Sequence, residues 1–187
     1  MSGAAHEKID PPAASRPILV LPTPMITIDL SNKIALITGA SQGIGAQMAR
    51  TFHRAGAVVV INHPGFESTA ADAADLAAEL NAERGNSAHV MSADVSNPEQ
   101  VKAMMTSIQE KLGGLDFLIN NAAIIRDRTI SKMSAEEWDE VLAVNLTGVF
   151  HCCQHGLAVM RDGGAVVSFG SISTIQGFYE KENEAAA

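Results

Sequence analysis

The chain has 187 residues, of which 47% are hydrophobic and 18% charged, and its formal net charge is −8. This length can bury the core of one domain, and the acidic surplus excludes a general nucleic-acid binder, which needs clustered Lys and Arg. No apolar run approaches the ~18 residues of a membrane span. The only cysteines, Cys152 and Cys153, are adjacent, so a disulfide framework is excluded and a reducing, cytoplasmic location is predicted.

The first 24 residues differ in composition from the rest of the chain. They carry five of the seven prolines, with Ala and Ser between them, which predicts a flexible lead over residues 1–24. Met25 stands just ahead of the first strand pattern and is a candidate initiator. One domain is therefore predicted over residues 25–187.

Apolar runs without polar alternation alternate with helix-period segments along that domain. Such runs are typical of parallel strands covered on both faces, and the alternation predicts an α/β fold with a Rossmann-like, doubly wound parallel sheet in the order 3-2-1-4-5. The predicted strands are Ile34–Thr38, Ala57–Asn62, Ala88–Ser92, Leu115–Asn120 and Ala165–Phe169. The predicted helices are Gly45–Ala55, about Thr69–Arg84, Pro98–Leu112 and one long helix over about Ala135–Met160.

A glycine-rich turn joins the first strand to the first helix. Its sequence, Thr38–Gly45, has the spacing T-G-x-x-x-G-x-G. Glycines let the backbone turn tightly and approach a pyrophosphate, whose charge meets the free N–H groups at the helix start. The pattern therefore predicts a dinucleotide site. Its candidate cofactor-binding residues are Gly39, Ser41, Gln42, Gly43, Ile44 and Gly45.

Polar residues at the end of the second strand bear on the choice of dinucleotide. An acidic residue there holds the ribose 2′-hydroxyl of NAD, and a basic one accommodates the 2′-phosphate of NADP. This chain has Asn62 and His63, so no carboxylate repels a phosphate and no arginine binds one. The sequence leans toward NADP and leaves NAD open.

Four further polar positions come later in the chain, three of them at strand ends and one inside the long helix. Asp94-Val95 can meet an adenine ring, although an Asp in this position also commonly caps a helix or turn. Asn121-Ala122-Ala123 suits a backbone lying against a ligand, and its Asn side chain can equally tie neighbouring strands together. Asn145 is a poor helix former inside the long helix and needs another reason to be there. Ser171 closes the fifth strand.

A pair of histidines on the long helix raises the question of a metal. His151 and His155 are four residues apart, a spacing that can hold a metal ion. No third ligand is evident, so a packed helix face is predicted and no metal.

The five segments, in this order and at these separations, resemble the short-chain dehydrogenase/reductase family of classical type, especially its 3-oxoacyl-carrier-protein reductase branch. The resemblance covers about residue 28 to the last residue and implies hydride transfer between NAD(P) and a small-molecule ketone or alcohol. It makes Ser171 the hydroxyl that orients the substrate carbonyl and Asn145 the support of a proton-relay water. Asp94 and Val95 would meet adenine, and Asn121, Ala122 and Ala123 would run beside the ribose.

The family's proton donor, a Tyr with a Lys four residues later, has no counterpart in this sequence. The alignment places Glu184 where the Tyr belongs, and a carboxylate is ionised at neutral pH and donates a proton poorly. The sequence ends one residue before the Lys position, so a truncated chain is predicted, with an inactive dinucleotide-binding module as the alternative function. Tyr179 and Lys181 lack the spacing to replace the pair, and the tail around them is predicted to be solvated.

The predicted truncation also bears on assembly. The resemblance implies a homo-oligomer, formed in part by the helix that follows the Tyr–Lys pair. Without that helix, an exposed apolar face is predicted on the long helix, at Leu142, Leu146, Val149 and Phe150.

Overall fold

The computed structural model describes residues 27–176 and 179–187. The lead predicted over residues 1–24 and the candidate start at Met25 lie outside these ranges. The described residues form one five-stranded parallel sheet in the order β3-β2-β1-β4-β5, as predicted. Its strands are β1 (Ile34–Ile37), β2 (Val58–His63), β3 (Ala88–Ser92), β4 (Leu115–Asn120) and β5 (Met160–Ser168).

Helices connect the strands and begin where local chemistry favours it. Asn97 caps α3 by accepting from the N–H groups of Glu99 and Gln100, with Pro98 in the first turn, and Ser134 and Glu137 form a capping box at the start of α4. The helices are α1 (Gly43–Arg54), α2 (Glu67–Glu83), α3 (Pro98–Leu112), α4 (Ala135–Leu142), α5 (Gly148–Leu157), α6 (Ser173–Gln176) and α7 (Glu182–Ala186).

The core lies on both faces of the sheet. Alternate residues of β1 divide between the two sides: Ala35 and Ile37 pack in the cluster that includes α1 and α2, and Ile34 and Leu36 pack in the cluster that includes α3 and α5. Such double coverage explains why the strands read as continuous apolar runs. The two edge strands are less completely covered: Val90 in β3 is 38% exposed and Val167 in β5 is 46% exposed.

The prediction of one continuous helix over Ala135–Met160 is wrong. It is divided into α4, a π-helical segment over Ala143–Thr147, and α5, which ends at Leu157. A π-helical turn inserts extra backbone, and such turns are frequent at functional sites. As predicted, Leu146 and Phe150 on this stretch are exposed, whereas Leu142 and Val149 are half-buried.

The fifth strand begins earlier than predicted, at Met160 rather than Ala165. Its register with β4 shifts between the pairs Leu115–Met160 and Phe117–Ala165, so residues 161–164 bulge out of the ladder. Gly163 has a φ of +79°, a conformation that favours glycine. The sequence Arg-Asp-Gly-Gly is typical of a turn, which is why the pattern did not reveal this strand.

The segment predicted as a solvated tail is partly packed. It contains the short helix α7, which contacts α4 and α6, and the Asn183 side chain within it is fully buried. Across both described ranges, no helix is long and apolar enough to cross a membrane.

A buried carboxylate joins three elements at the amino-terminal edge of the sheet. Asp116 accepts from the Ile34 N–H at 2.9 Å, from Lys33 at 3.1 Å and from Arg161 at 3.0 Å, and its side chain is 4% exposed. Burial opposes ionisation of Asp116, but the hydrogen bonds from Ile34 and Lys33 and the charge of Arg161 lower its pKa below 3.8 overall. The carboxylate therefore stabilises the fold in its ionised form.

Replacing this carboxylate should weaken the fold. We expect Asp116→Asn to lower the free energy of unfolding by about 2 kcal/mol, because charged hydrogen-bond partners lose their acceptor. The lowered pKa also means that the contribution of Asp116 is present above pH 3.8 and is lost as the pH falls below it. Urea unfolding at pH 7 and pH 3 measures both effects. Asp162→Asn, on an exposed residue of β5, is the matched control, and equal stabilities of the two variants would contradict the assignment.

Candidate functional site

The glycine turn after β1 is packed too tightly for other residues at two positions. Gly39 has a φ of +60°, and a Cβ on it would lie 2.9 Å from the Ala122 Cα. A Cβ on Gly45 would lie 2.6 Å from the Asn121 Nδ2 and 2.7 Å from the Gly39 carbonyl oxygen. The glycines of the motif therefore allow α1 to start directly against the end of β4.

The amino terminus of α1 lacks the groups that usually satisfy a helix start. Gln42 occupies the N-cap position without a side-chain cap, and the first turn contains no acidic residue. The first N–H groups of a helix have no intrahelical acceptor, and the helix dipole adds positive potential there. This end of α1 is suited to an anion such as a phosphate.

Thr38 and Asn121 attach the glycine turn to β4. The Thr38 hydroxyl accepts from the N–H groups of Asn121 and Ala122, each at 3.0 Å. The Asn121 amide donates to the carbonyl oxygens of Thr38 and Gly39 at 2.8 and 3.2 Å. The sequence suggested two roles for Asn121, contact with a ligand and attachment of neighbouring strands. These hydrogen bonds show the attachment. Ala123 next to it does not adopt a left-handed backbone, so alanine fits there without strain.

Asn62 attaches the same turn to the other side of the sheet. Its Oδ1 accepts from the Gly39 N–H at 3.2 Å, and its Nδ2 donates to the Ala93 carbonyl at 2.9 Å. The neighbouring His63 is buried, and its Nδ1 accepts from the Gly65 N–H at 3.2 Å. Burial lowers the pKa of His63, which keeps the ring neutral at pH 7. Both side chains thus hold backbone in place.

A cleft of about 580 Å³ opens at the carboxyl ends of the strands, beside the glycine turn. This is where ligands bind in open α/β sheets, at the point where the strand order reverses. The predicted site residues that line it are Gly39, Ser41, Gln42, Asn62, Asp94, Val95, Asn121, Ala122 and Ala123. His63, Gly43, Ile44, Gly45, Asn145 and Ser171 are not among the lining residues.

The loop after β3 is held by its own turn and by α5. Asp94 Oδ1 accepts from the backbone N–H and the hydroxyl of Ser96 at 2.9 and 2.7 Å, which is the turn role considered for it. The Val95 carbonyl lies 3.1 Å from the His151 Nδ1, and a Cβ on Gly148 would lie 2.8 Å from Val95. His151 therefore contacts this loop, and the described ranges contain no cluster of three candidate metal ligands.

Asn145 sits in the π-helical segment and binds the loop after β4. Its Oδ1 accepts from the Ile124 N–H at 2.9 Å, and its Nδ2 donates to the Ile124 carbonyl at 3.0 Å. One amide thus satisfies both backbone groups of one residue. This explains the presence of Asn inside a helix, since its side chain fixes the wall of the cleft that Ile124 forms.

Ser171 follows β5 and is held by a second serine. Its hydroxyl oxygen accepts from the Ser173 hydroxyl at 2.7 Å and from the Ser173 N–H at 3.2 Å. Ser173 is buried, whereas Ser171 is half-buried. Because both contacts use the oxygen of Ser171 as acceptor, its own O–H remains able to donate to a ligand.

The residues near the expected proton-donor position form a different network. Lys181 contacts Asp127 at 2.6 Å and Glu184 at 3.4 Å, and its hydrogen bond to Asp127 raises its pKa. Tyr179 is 80% exposed. Asn183 donates to the Arg126 carbonyl at 3.0 Å. This segment is thus fastened to the loop after β4.

Several cleft residues were missed by sequence reasoning. Arg126 pairs with Glu140 at 2.8 Å, and both line the cleft. Phe66 lines it as well, although it is 68% exposed. A bulky apolar residue at the start of α2, where a polar cap is usual, was an available signal for Phe66. No local pattern marked the Arg126–Glu140 pair, because its partners are 14 residues apart.

The chain belongs to the short chain dehydrogenase family, whose family model matches residues 33–187. It is 35% identical over 142 residues to the 3-oxoacyl-[acyl-carrier-protein] reductase FabG of Staphylococcus aureus, covering 75% of this chain and 56% of the relative. It is 38% identical over 146 residues to the hydroxyacyl-CoA dehydrogenase ChsB1 of Mycobacterium tuberculosis, covering 78% and 46%. The chain thus spans about half the length of these curated relatives.

A solved structure supports the same assignment. The structure of a short chain dehydrogenase from Burkholderia cenocepacia J2315 in complex with NADP superposes with a TM-score of 0.78 at 32% sequence identity. The match covers 84% of this chain and 63% of that one. The fold is therefore the Rossmann-like fold predicted from the sequence.

The steric role of Gly45 can be tested directly. We expect Gly45→Ala to lower the free energy of unfolding by about 2 kcal/mol or more, because the new Cβ meets backbone atoms that cannot move aside. Gly85→Ala is the matched control, since a Cβ there meets nothing within 4 Å. Urea denaturation of both variants measures the difference. A Gly45→Ala variant as stable as Gly85→Ala would show that α1 does not depend on this close approach.

Proposed function

We propose that this protein is an NAD(P)-dependent oxidoreductase that transfers a hydride between nicotinamide and a ketone or alcohol. The observation that carries the proposal is the uncapped, acid-free start of α1, which stands behind a glycine turn fixed from both sides beside the cleft. Relatives named as a reductase and a dehydrogenase support it, as does the neighbour in complex with NADP.

The layout of the cleft and the start of α1 beside it support the following placement of the dinucleotide. The N–H groups of Gly43, Ile44 and Gly45 would receive the pyrophosphate. Asp94 and Val95 would lie at the adenine. Asn121, Ala122 and Ala123 would lie beside a ribose of the cofactor. Neutral Asn62 leaves NADP and NAD both acceptable, with NADP favoured because no carboxylate at the end of β2 repels its 2′-phosphate. The bound cofactor supplies the hydride.

The substrate end lies beyond β4 and β5. Ser171 would donate its free O–H to the substrate carbonyl, and its two hydrogen bonds from Ser173 would hold that oxygen in place. Asn145 would act as a positioning residue, because it fixes both backbone groups of Ile124. We favour a 3-oxoacyl thioester-like substrate, since one relative is named a 3-oxoacyl-[acyl-carrier-protein] reductase and another a hydroxyacyl-CoA dehydrogenase. The enzyme would act in the cytoplasm, where Cys152 and Cys153 remain reduced.

A non-catalytic dinucleotide-binding module is the second candidate. The observation in its favour concerns the two groups that replace the family's Tyr–Lys pair. Glu184 is a carboxylate rather than a phenol, and Lys181 is paired with Asp127 and Glu184 rather than free to contact a cofactor. The two candidates share nucleotide binding and differ only in turnover. They can therefore be separated by experiment.

Nucleotide binding is the first measurement. We expect NADPH and NADH fluorescence to change saturably on titration with the chain, with NADPH bound more tightly for the electrostatic reason given above. Gly85→Ala should bind as the unmodified chain does, and Gly45→Ala should not bind. Absence of binding by either nucleotide to a folded, unmodified chain would overturn both candidate functions.

Turnover separates the oxidoreductase from the binding module. We expect NADPH oxidation with a 3-oxoacyl thioester to be slow, because the alkoxide left by hydride transfer must take its proton from water: Glu184 stands where the family's Tyr belongs, and Lys181 is paired with Asp127. Ser171→Ala should lower this rate further by about 10²–10³-fold, as the loss of one donor to a reacting carbonyl does. The affinity for NADPH should not change in this variant, because Ser171 lies outside the cleft lining. Saturable NADPH binding without thioester-dependent oxidation would instead establish the binding module.

A further inference from the structure

Phe66 occupies a position that its local structure does not favour. It is the N-cap residue of α2, where Ser, Thr, Asp or Asn would satisfy a free N–H group, and it makes no side-chain cap. Its side chain is also 68% exposed while lining the cleft. A large apolar ring that gives neither a cap nor a core contact has its apolar face available to a ligand.

The turn before Phe66 fixes the backbone that carries the ring. Gly65 has a φ of +99°, its N–H donates to the His63 Nδ1 at 3.2 Å, and a Cβ on it would lie 3.0 Å from the Ser92 hydroxyl. On the other side, the Thr69 hydroxyl donates to the Phe66 carbonyl at 2.9 Å. The lowered pKa of His63 keeps its Nδ1 an acceptor at pH 7. The backbone of Phe66 is thus held before any ligand arrives.

The position of Phe66 in the sheet indicates which part of a dinucleotide it would meet. The pyrophosphate belongs at the start of α1, behind the central strand β1, so one nucleoside extends over β2 and β3 and the other over β4 and β5. Ser171 follows β5, and Asn145 holds the loop after β4, which places the reacting ring on that side. Phe66 follows β2 and shares the cleft with Asp94 of the β3 loop, on the opposite side.

We propose that Phe66 is a stacking platform for the adenine ring of the cofactor, an inference that rests on the proposed function. The purine presents a flat π-face, and base–aromatic stacking contributes to binding without depending on hydrogen-bond readout. Stacking on Phe66 would cover the exposed ring and leave the adenine edge to the Asp94–Val95 backbone. Phe66 would then contribute to adenosine affinity but have no part in hydride transfer.

The test compares ligands with and without the adenine ring. NADPH and AMP contain adenine, whereas reduced nicotinamide mononucleotide does not. We expect Phe66→Ala to weaken NADPH and AMP binding about tenfold, equivalent to ~1.4 kcal/mol, and to leave binding of the mononucleotide unchanged. Phe66→Leu should lose most of the same affinity, because it keeps apolar area but lacks the ring face, and Phe66→Trp should restore it.

Leu157→Ala is the matched control, since Leu157 is a large apolar residue that is 59% exposed and lies outside the cleft lining. It should bind all three ligands as the unmodified chain does. If the unmodified chain binds NADPH, and Phe66→Ala binds AMP as tightly as the unmodified chain does, the stacking role is overturned and the proposed function stands. If the folded, unmodified chain binds neither NADPH nor NADH, both fail together.

Discussion

The cleft depends on the attachment of the glycine turn to the strands on both sides of β1. The turn exposes polar backbone groups that no helix or strand can satisfy, so side chains must hold it. Asn62 from β2 and Asn121 after β4 do so from opposite directions, each with an amide bonded to Gly39. An amide suits both positions because it donates and accepts through one planar group. Loss of either attachment would leave Gly39 held from one side only.

The neutrality of these two residues has an electrostatic consequence. The chain carries a net charge of −8, so a phosphate site on it needs local protection from acidic side chains. A carboxylate in place of Asn62 could also accept from the Gly39 N–H, but it would set a negative charge beside the anion-binding end of α1. The acidic residues that do line the cleft are engaged elsewhere: Glu140 pairs with Arg126, and Asp94 accepts from Ser96.

Much of this architecture could be predicted from the sequence, and the exceptions involve partners that are distant in the sequence. The bounds of α3 were predicted correctly because Asn97, Pro98 and Gly113 mark its ends in the sequence itself. The start of β5 was not, because Arg-Asp-Gly-Gly is typical of a turn, and the contact that Arg161 makes there is with Asp116, 45 residues away. The packing of α7 was not predicted either, since the buried Asn183 donates to the carbonyl of Arg126, 57 residues earlier. The hydrophobic periodicity of a segment indicates its own secondary structure and does not show which distant residues it contacts.

The residues that break local rules in this chain gather around the cleft. Gln42 starts α1 without capping it, Phe66 starts α2 without capping it, and Asn145 interrupts a helix with a π-helical turn. Each choice costs local stability, and elsewhere α3 and α4 show that this chain can cap its helices well. At α1 and α2, the missing caps are best explained by what the exposed groups can bind, because a capped α1 could not receive a phosphate and a polar cap at residue 66 could not stack on a base.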